Sequence, residues 1–259
     1  MNNFIGKRIT KILFLSFGVL MLPFTATAAE KMLDPGDYVG ISFWVISVAM
    51  VAATVFFLME ALRVPDKWKT SMVIGALVTL VAAIHYYYMR DIWVSTGQTP
   101  TVFRYVDWII TVPLQMIEFY FILAAVAVVS AGIFWRLLIG TLVMLLAGYL
   151  GETGTINPWI GFIVGMGGWL YILYEIFAGE AGKLSAEKSA ESVKTAFNTM
   201  KWIVTIGWAI YPLGYLLGYL TPHADAATLN VVYNIADLIN KIGFVAVIWA
   251  AANKQANKG

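Results

Sequence analysis

Seven apolar stretches follow one another between residues 38 and 252, each close to the roughly 20 residues that a bilayer core demands of a helix. They read as 38–62, 69–90, 101–126, 131–150, 158–178, 197–219 and 229–252. In lipid every backbone polar group must be paired within the chain, and no alternating pattern supports a barrel, so all of them are expected to be helices. The fold class is an all-α membrane protein, a seven-transmembrane-helix bundle read as one domain over residues 29–259. Composition agrees: 60% of residues are hydrophobic and 12% charged, which excludes an ordinary soluble domain.

Residues 1–28 read as a cleaved secretory signal, with Lys7, Arg8 and Lys11 ahead of an apolar run at 12–22 and an A-x-A pattern at Ala26-Thr27-Ala28. An uncleaved first helix fits less well because that run is short. Arg63, Lys67, Lys69, Arg136, Lys183, Lys188, Lys194, Lys201, Lys254 and Lys258 fall on one side of the bundle, with Lys31 and Arg90 on the other. The positive-inside rule then gives an N-terminus outside and a cytoplasmic C-terminus. Segment 179–194 carries charges of both signs and is expected to be a solvated connection or frayed helix end. A net charge of +2, spread over loops, offers nothing to nucleic acid. The absence of cysteine excludes disulfides and thiol chemistry, and two distant histidines, His85 and His223, give no metal spacing.

Ionisable residues inside a span are costly and need a reason to be there. The third stretch holds Arg104, Asp107 and Glu118 in RYVDWIITVPLQMIE. Asp107 and Thr111 share a helical face, and Glu118 lies eleven residues beyond Asp107, about 16 Å along the axis. The seventh stretch sets Asp237 four residues before Lys241 in NIADLINKIGF. That lysine is either a structural partner of Asp237 or a nucleophile that forms a Schiff base with an aldehyde. Trp108, Trp169, Trp208 and Tyr211 sit at mid-span, as plain core or as walls around a long conjugated ligand. Arg104, one turn before Asp107, can pair with it or hold water beside it. Gln115 lies on the face of Asp107 and needs a partner, since an unpaired amide in hydrocarbon is costly. Pro212 is expected to kink the sixth span, and His85 is buried in the second as a bonded core residue or a switch.

RYVDWIITVPLQ, WAIYPLGY and DLINK together resemble the microbial rhodopsins, and HYYYMRDIW with GQTPTVFRYVDW is similar to the proteorhodopsins among them. The resemblance covers the whole mature chain. It implies a light-driven outward proton pump, not an enzyme, with all-trans retinal on Lys241 as a protonated Schiff base. Asp107 would be counterion and proton acceptor, Asp237 the second counterion and Glu118 the proton donor, with Asp107, Thr111 and Glu118 matching the family's three-residue motif. Trp108, Trp169, Trp208 and Tyr211 would enclose the chromophore, Arg104 would help to control proton release, and Pro212 would be a hinge. Gln115 stands where blue-absorbing members carry Gln and green-absorbing members Leu. His85 would bond the acceptor and reach a tryptophan of the neighbouring protomer at the position of Trp44, in a pentameric or hexameric ring in the bacterial cytoplasmic (inner) membrane. The alternative is a slow-cycling photosensor that signals to a partner. A receptor coupled to G proteins is disfavoured by the short loops and the carboxylates of span three.

Overall fold

The computed structural model describes residues 33–221 and 223–256, so the leader expected over 1–28 lies outside the described residues. Seven helices are long and apolar enough to cross a membrane: Tyr38–Ala61, Asp66–Thr96, Thr101–Ala124, Ala131–Glu152, Pro158–Glu187, Glu191–Leu220 and Ala226–Ala256, here spans one to seven. No strand occurs among the described residues. Successive spans pack side by side, and span seven closes the bundle against spans one, two and six. The connections 62–65 and 125–130 gather at one end with Arg136, and 97–100, 153–157 and 221–225 at the other with Asp37.

Local chemistry sets several of the helix starts. Asp37 Oδ1 accepts from Gly40 N at 2.9 Å, and Ser130 Oγ from Gly132 N at 3.1 Å. Asn157 Oδ1 accepts from Trp159 N at 2.9 Å, with Pro158 at the first helical position. Spans two and seven outrun the expected 69–90 and 229–252, because polar first and last turns continue a helix once it has left the apolar layer.

Of the two expectations for segment 179–194, a solvated connection or a helix end, the structure shows helix ends with several exposed residues. The segment is helical over Glu180–Lys188 and again from Glu191. Arg136 is the reason: its guanidinium donates to both oxygens of the buried Glu175 at 2.9 and 3.1 Å and to Glu180 Oε2 at 2.6 Å. Glu175 Oε1 also accepts from Ala181 N at 3.0 Å, which ties the first turn of Glu180–Lys188 to the end of Pro158–Phe177.

Two departures from regular packing shape the interior. Spans four and five approach through glycines: a Cβ on Gly161 would lie 2.7 Å from Ala147 O, and one on Gly168 2.8 Å from Met144 N. Span six is broken, with π-helical turns at Ile203–Gly207 and Leu216–Leu220 flanking a short α-helix, Ile210–Tyr215, that contains Pro212. Trp169 of span five donates from Nε1 to Val204 O at 3.1 Å within the first π turn.

Candidate functional site

Polar side chains on span seven recur as Asn230, Asn234, Asp237 and Lys241, one stripe of a helix, and all are buried. Span three faces them with Arg104, Asp107, Thr111 and Gln115, also buried. Two cations and two carboxylates thus share the interior and balance in charge. Lys241 Nζ donates to Asp107 Oδ2 and to Asp237 Oδ2, the latter at 3.1 Å. Removing one partner from such a set costs about 3–5 kcal/mol, because a buried charge is left uncompensated.

The two carboxylates differ in surroundings. Asp237 is fully engaged: Oδ2 accepts from Tyr86 Oη at 2.8 Å and Trp108 Nε1 at 3.2 Å, and Oδ1 from Tyr211 Oη at 2.6 Å. Asp107 keeps Oδ1 buried with no hydrogen-bond partner. Thr111 Oγ1 donates to the Asp107 backbone carbonyl at 3.0 Å and so belongs to its own helix, not to the carboxylate. Arg104 is held by protein: Nη2 donates to Asn230 Oδ1 and Asn234 Oδ1 at 2.9 Å each, and Nη1 to Tyr86 Oη at 3.2 Å. Both asparagines are anchored in turn, Asn230 on Thr99 Oγ1 and Asn234 on Ser42 Oγ.

A cavity runs from Lys241 into the space between spans three to six. Trp108, Trp169, Trp208 and Tyr211 line it, together with Gln115 and Pro212. Its wall is mostly apolar, and Lys241 and Asp237 are among the few charged groups that reach it. Gln115 is satisfied, donating from Nε2 to Asn240 O at 3.1 Å.

Glu118 stands apart from this network. Both its oxygens are buried without a hydrogen-bond partner, and the Ser71 hydroxyl is the polar group beside it, outside bonding geometry. Its neighbour Phe119 meets the rings of Phe197 and Phe244 at 5.0 and 5.8 Å, so this part of the bundle is apolar. His85 is half-buried with Nδ1 2.9 Å from Val81 O, which fixes the proton on that nitrogen, and the expected bond from His85 to Asp107 is not among the hydrogen bonds of the described residues. Trp44, 40% exposed, lies on the outer surface against Tyr87 and below the Arg90 guanidinium.

Tyr86, Asn230, Asn234 and Asn240 belong to the site and escape a reading built on charged residues. The signal was present: 230, 234, 237 and 241 fall on one helical face. Glu152, at the end of span four, also lines the cavity and accepts from Tyr105 Oη at 2.9 Å.

The profile of the bacteriorhodopsin-like proteins matches residues 37–255. The chain is 48% identical over 248 residues to a green-light absorbing proteorhodopsin of the gamma-proteobacterium EBAC31A08, covering 95% of this chain and 99% of that one. Identity is also 48%, over 249 residues, to a blue-light absorbing proteorhodopsin of the gamma-proteobacterium Hot 75m4, at 95% and 98% coverage. The crystal structure of the blue light-absorbing proteorhodopsin from Med12 superposes with a TM-score of 0.74 at 54% identity, over 85% of this chain and 100% of that one.

Proposed function

The chain belongs to the bacteriorhodopsin-like family, and on that premise we propose that it is a light-driven outward proton pump of a bacterial inner membrane. The observation that carries this reading is Lys241 Nζ, buried at the end of the cavity between Asp107 and Asp237. An aromatic-walled, mostly apolar cavity that reaches an amine compensated by two carboxylates has the chemistry to hold retinal. When bound to Lys241 as a protonated imine in its all-trans form, retinal supplies light absorption, isomerisation and a nitrogen whose hold on its proton changes.

This chain's residues supply the rest. The Lys241 ammonium stands in for the cationic nitrogen of the loaded lysine, and both carboxylates compensate it. Asp107 receives the proton, because its Oδ1 is unengaged whereas every oxygen of Asp237 is occupied by donors that hold the charged form. Glu118, a buried carboxyl with no partner, is carried as the neutral acid and stores the proton that refills Nζ from the cytoplasmic side. Arg104, fixed by Asn230 and Asn234, closes the route outward of the carboxylates. Trp169 and Trp208 wall the cavity, and Pro212, in the interrupted sixth span, sits where that span can hinge.

Gln115 sets its amide dipole beside the Lys241 end of the cavity, where it favours positive charge held near Nζ and widens the excitation gap, so the pigment is the blue-absorbing kind. The N-terminus lies outside and the C-terminus in the cytoplasm, as the Lys and Arg asymmetry requires. The protomers form a ring, supported by the exposure of Trp44 beside Arg90 and Tyr87 on the outer surface.

The test is the external pH of illuminated cells that express the chain and are fed retinal. Acidification that a protonophore abolishes is the expected result. Alkalinisation that the protonophore enhances would refute proton export, and a coloured protein that leaves the pH unchanged would favour the photosensor.

A further inference from the structure

Asn240, the residue before Lys241, is 4% exposed, and the proton path described above makes no use of it. Its side chain reaches across to the broken stretch of span six. Asn240 Nδ2 donates to Gly207 O, the last residue of the first π turn, at 3.0 Å and to Tyr211 Oη at 3.3 Å. Both of its amide hydrogens are thereby used.

The backbone around Gly207 explains why a side chain is needed there. Pro212, five residues on, has no N–H to give, and Tyr211 N turns instead to Trp208 O at 3.1 Å. Asn240 supplies the donor. The fit is close: a Cβ on Gly207 would fall 2.1 Å from Asn240 Oδ1, so the amide lies on the bare glycine backbone. The Asn240 carbonyl, meanwhile, accepts from Gln115 Nε2 at 3.1 Å, which grips the same residue from span three. Tyr211, the second recipient of the amide, donates to Asp237 Oδ1 at 2.6 Å, and Asp237 Oδ2 accepts from Lys241 Nζ at 3.1 Å. A connected set of hydrogen bonds therefore joins the Lys241 peptide, the second carboxylate and the break in span six.

We propose that Asn240 is a positioning residue that ties the peptide of Lys241 to the break in span six, holding that span closed until Lys241 moves. Displacement of the Lys241 side chain shifts the residue covalently joined to it, and the bond to Gly207 O carries that shift into the π turn. The light-coupled half of this role rests on the reading of Lys241 as the retinal-bearing lysine; the tie itself does not.

The test compares Asn240→Ala, Gly207→Ala and the double variant in the full-length protein. In retinal-free protein, amide hydrogen exchange over 203–213 should quicken about tenfold in each single variant, equivalent to about 1.4 kcal/mol, and no further in the double. Exchange in span three, unchanged, would show that each variant is folded. In retinal-loaded protein, the late phase of the flash-induced absorbance change should shift about tenfold in either single variant and by the same factor in the double, a signature that mere loss of stability would not give. Exchange and late phase within twofold of wild type in Asn240→Ala, or effects of the two substitutions that multiply, would overturn the tie. A wild-type protein that never colours with retinal would overturn the light-coupled half, while exchange still decides the tie.

Discussion

Replacing Gly161 with alanine adds one methyl at the tightest backbone contact between spans four and five. The new Cβ would fall 2.7 Å from Ala147 O and 2.8 Å from Gly151 Cα, both main-chain atoms that cannot rotate away. Relief requires the spans to part by about 0.7 Å, an overpacking that costs about 1–3 kcal/mol in a close-packed interior. Against this, alanine is a better helix former than glycine by about 0.5–1 kcal/mol. Gly167, on the same span, supplies the control, since a Cβ there meets nothing within 4 Å and alanine can only gain. Chemically identical substitutions six residues apart should thus differ by about 1–3 kcal/mol, with Gly167→Ala at or above wild type. The assay is unfolding of the retinal-free protein in mixed detergent and sodium dodecyl sulfate. Because Gly161 also lines the cavity, retinal uptake should slow in the same variant and stay normal in Gly167→Ala. Equal stability of the two variants would refute the close packing of spans four and five.

Three further outcomes are expected. Glu118→Gln should slow refilling of Lys241 about a hundredfold, read from the late absorbance decay after a flash, while the first proton transfer keeps its rate; an unaltered decay would remove Glu118 from the path. Gln115→Leu deletes the amide that donates to Asn240 O and should move the absorption band to longer wavelength, so an unmoved band would sink the tuning argument. Asp225, just ahead of span seven, has its carboxyl held below the usual range by the Thr228 backbone N–H and then the Thr228 hydroxyl. Its contribution is full above the unfolded value of about 3.9 and fades as pH falls through the lower folded value, so Asp225→Ala should loosen the first turn of span seven at neutral pH. In strong acid the two proteins should match, as read by proteolysis at the 221–225 connection.

The spans and the charged half of the site were legible in the sequence for one physical reason. In an apolar layer a charge or a helix start is conspicuous, and Asp237 and Lys241, four apart, meet as their spacing predicts. What the sequence hid was neutral and relational. Asn230 and Asn234 look like ordinary polar residues until Arg104, more than a hundred positions earlier, is seen between them. Between a solvated connection and a helix end, the sequence could not choose for segment 179–194, because its helix is held by Arg136 of span four through Glu175 and Glu180, and local composition carries no trace of that contact. Pro212 signalled an irregular span six, but two π turns rather than a simple kink absorb it, since Trp169 and Asn240 take up carbonyls within the first.

The same geometry accounts for direction in the proposed pump. Arg104, Lys241, Asp107 and Asp237 sum to zero charge, so moving a proton from Lys241 to Asp107 replaces two ions by two neutral groups within a set that stays balanced. Nothing in that exchange favours return by the same path less than release, and the asymmetry must come from what lies on either side. Toward the Asp37 end the path meets a fixed guanidinium and a chain of amides and hydroxyls, all polar and hydrogen-bonded. Toward the Arg136 end it meets the packed rings of Phe119, Phe197 and Phe244 and, next to Phe119 in the chain, Glu118, an acid whose oxygens are buried without partners. A charge released from Asp107 finds solvation on the first side and none on the second, whereas a neutral acid can wait in the apolar half at little cost and supply the next proton from there.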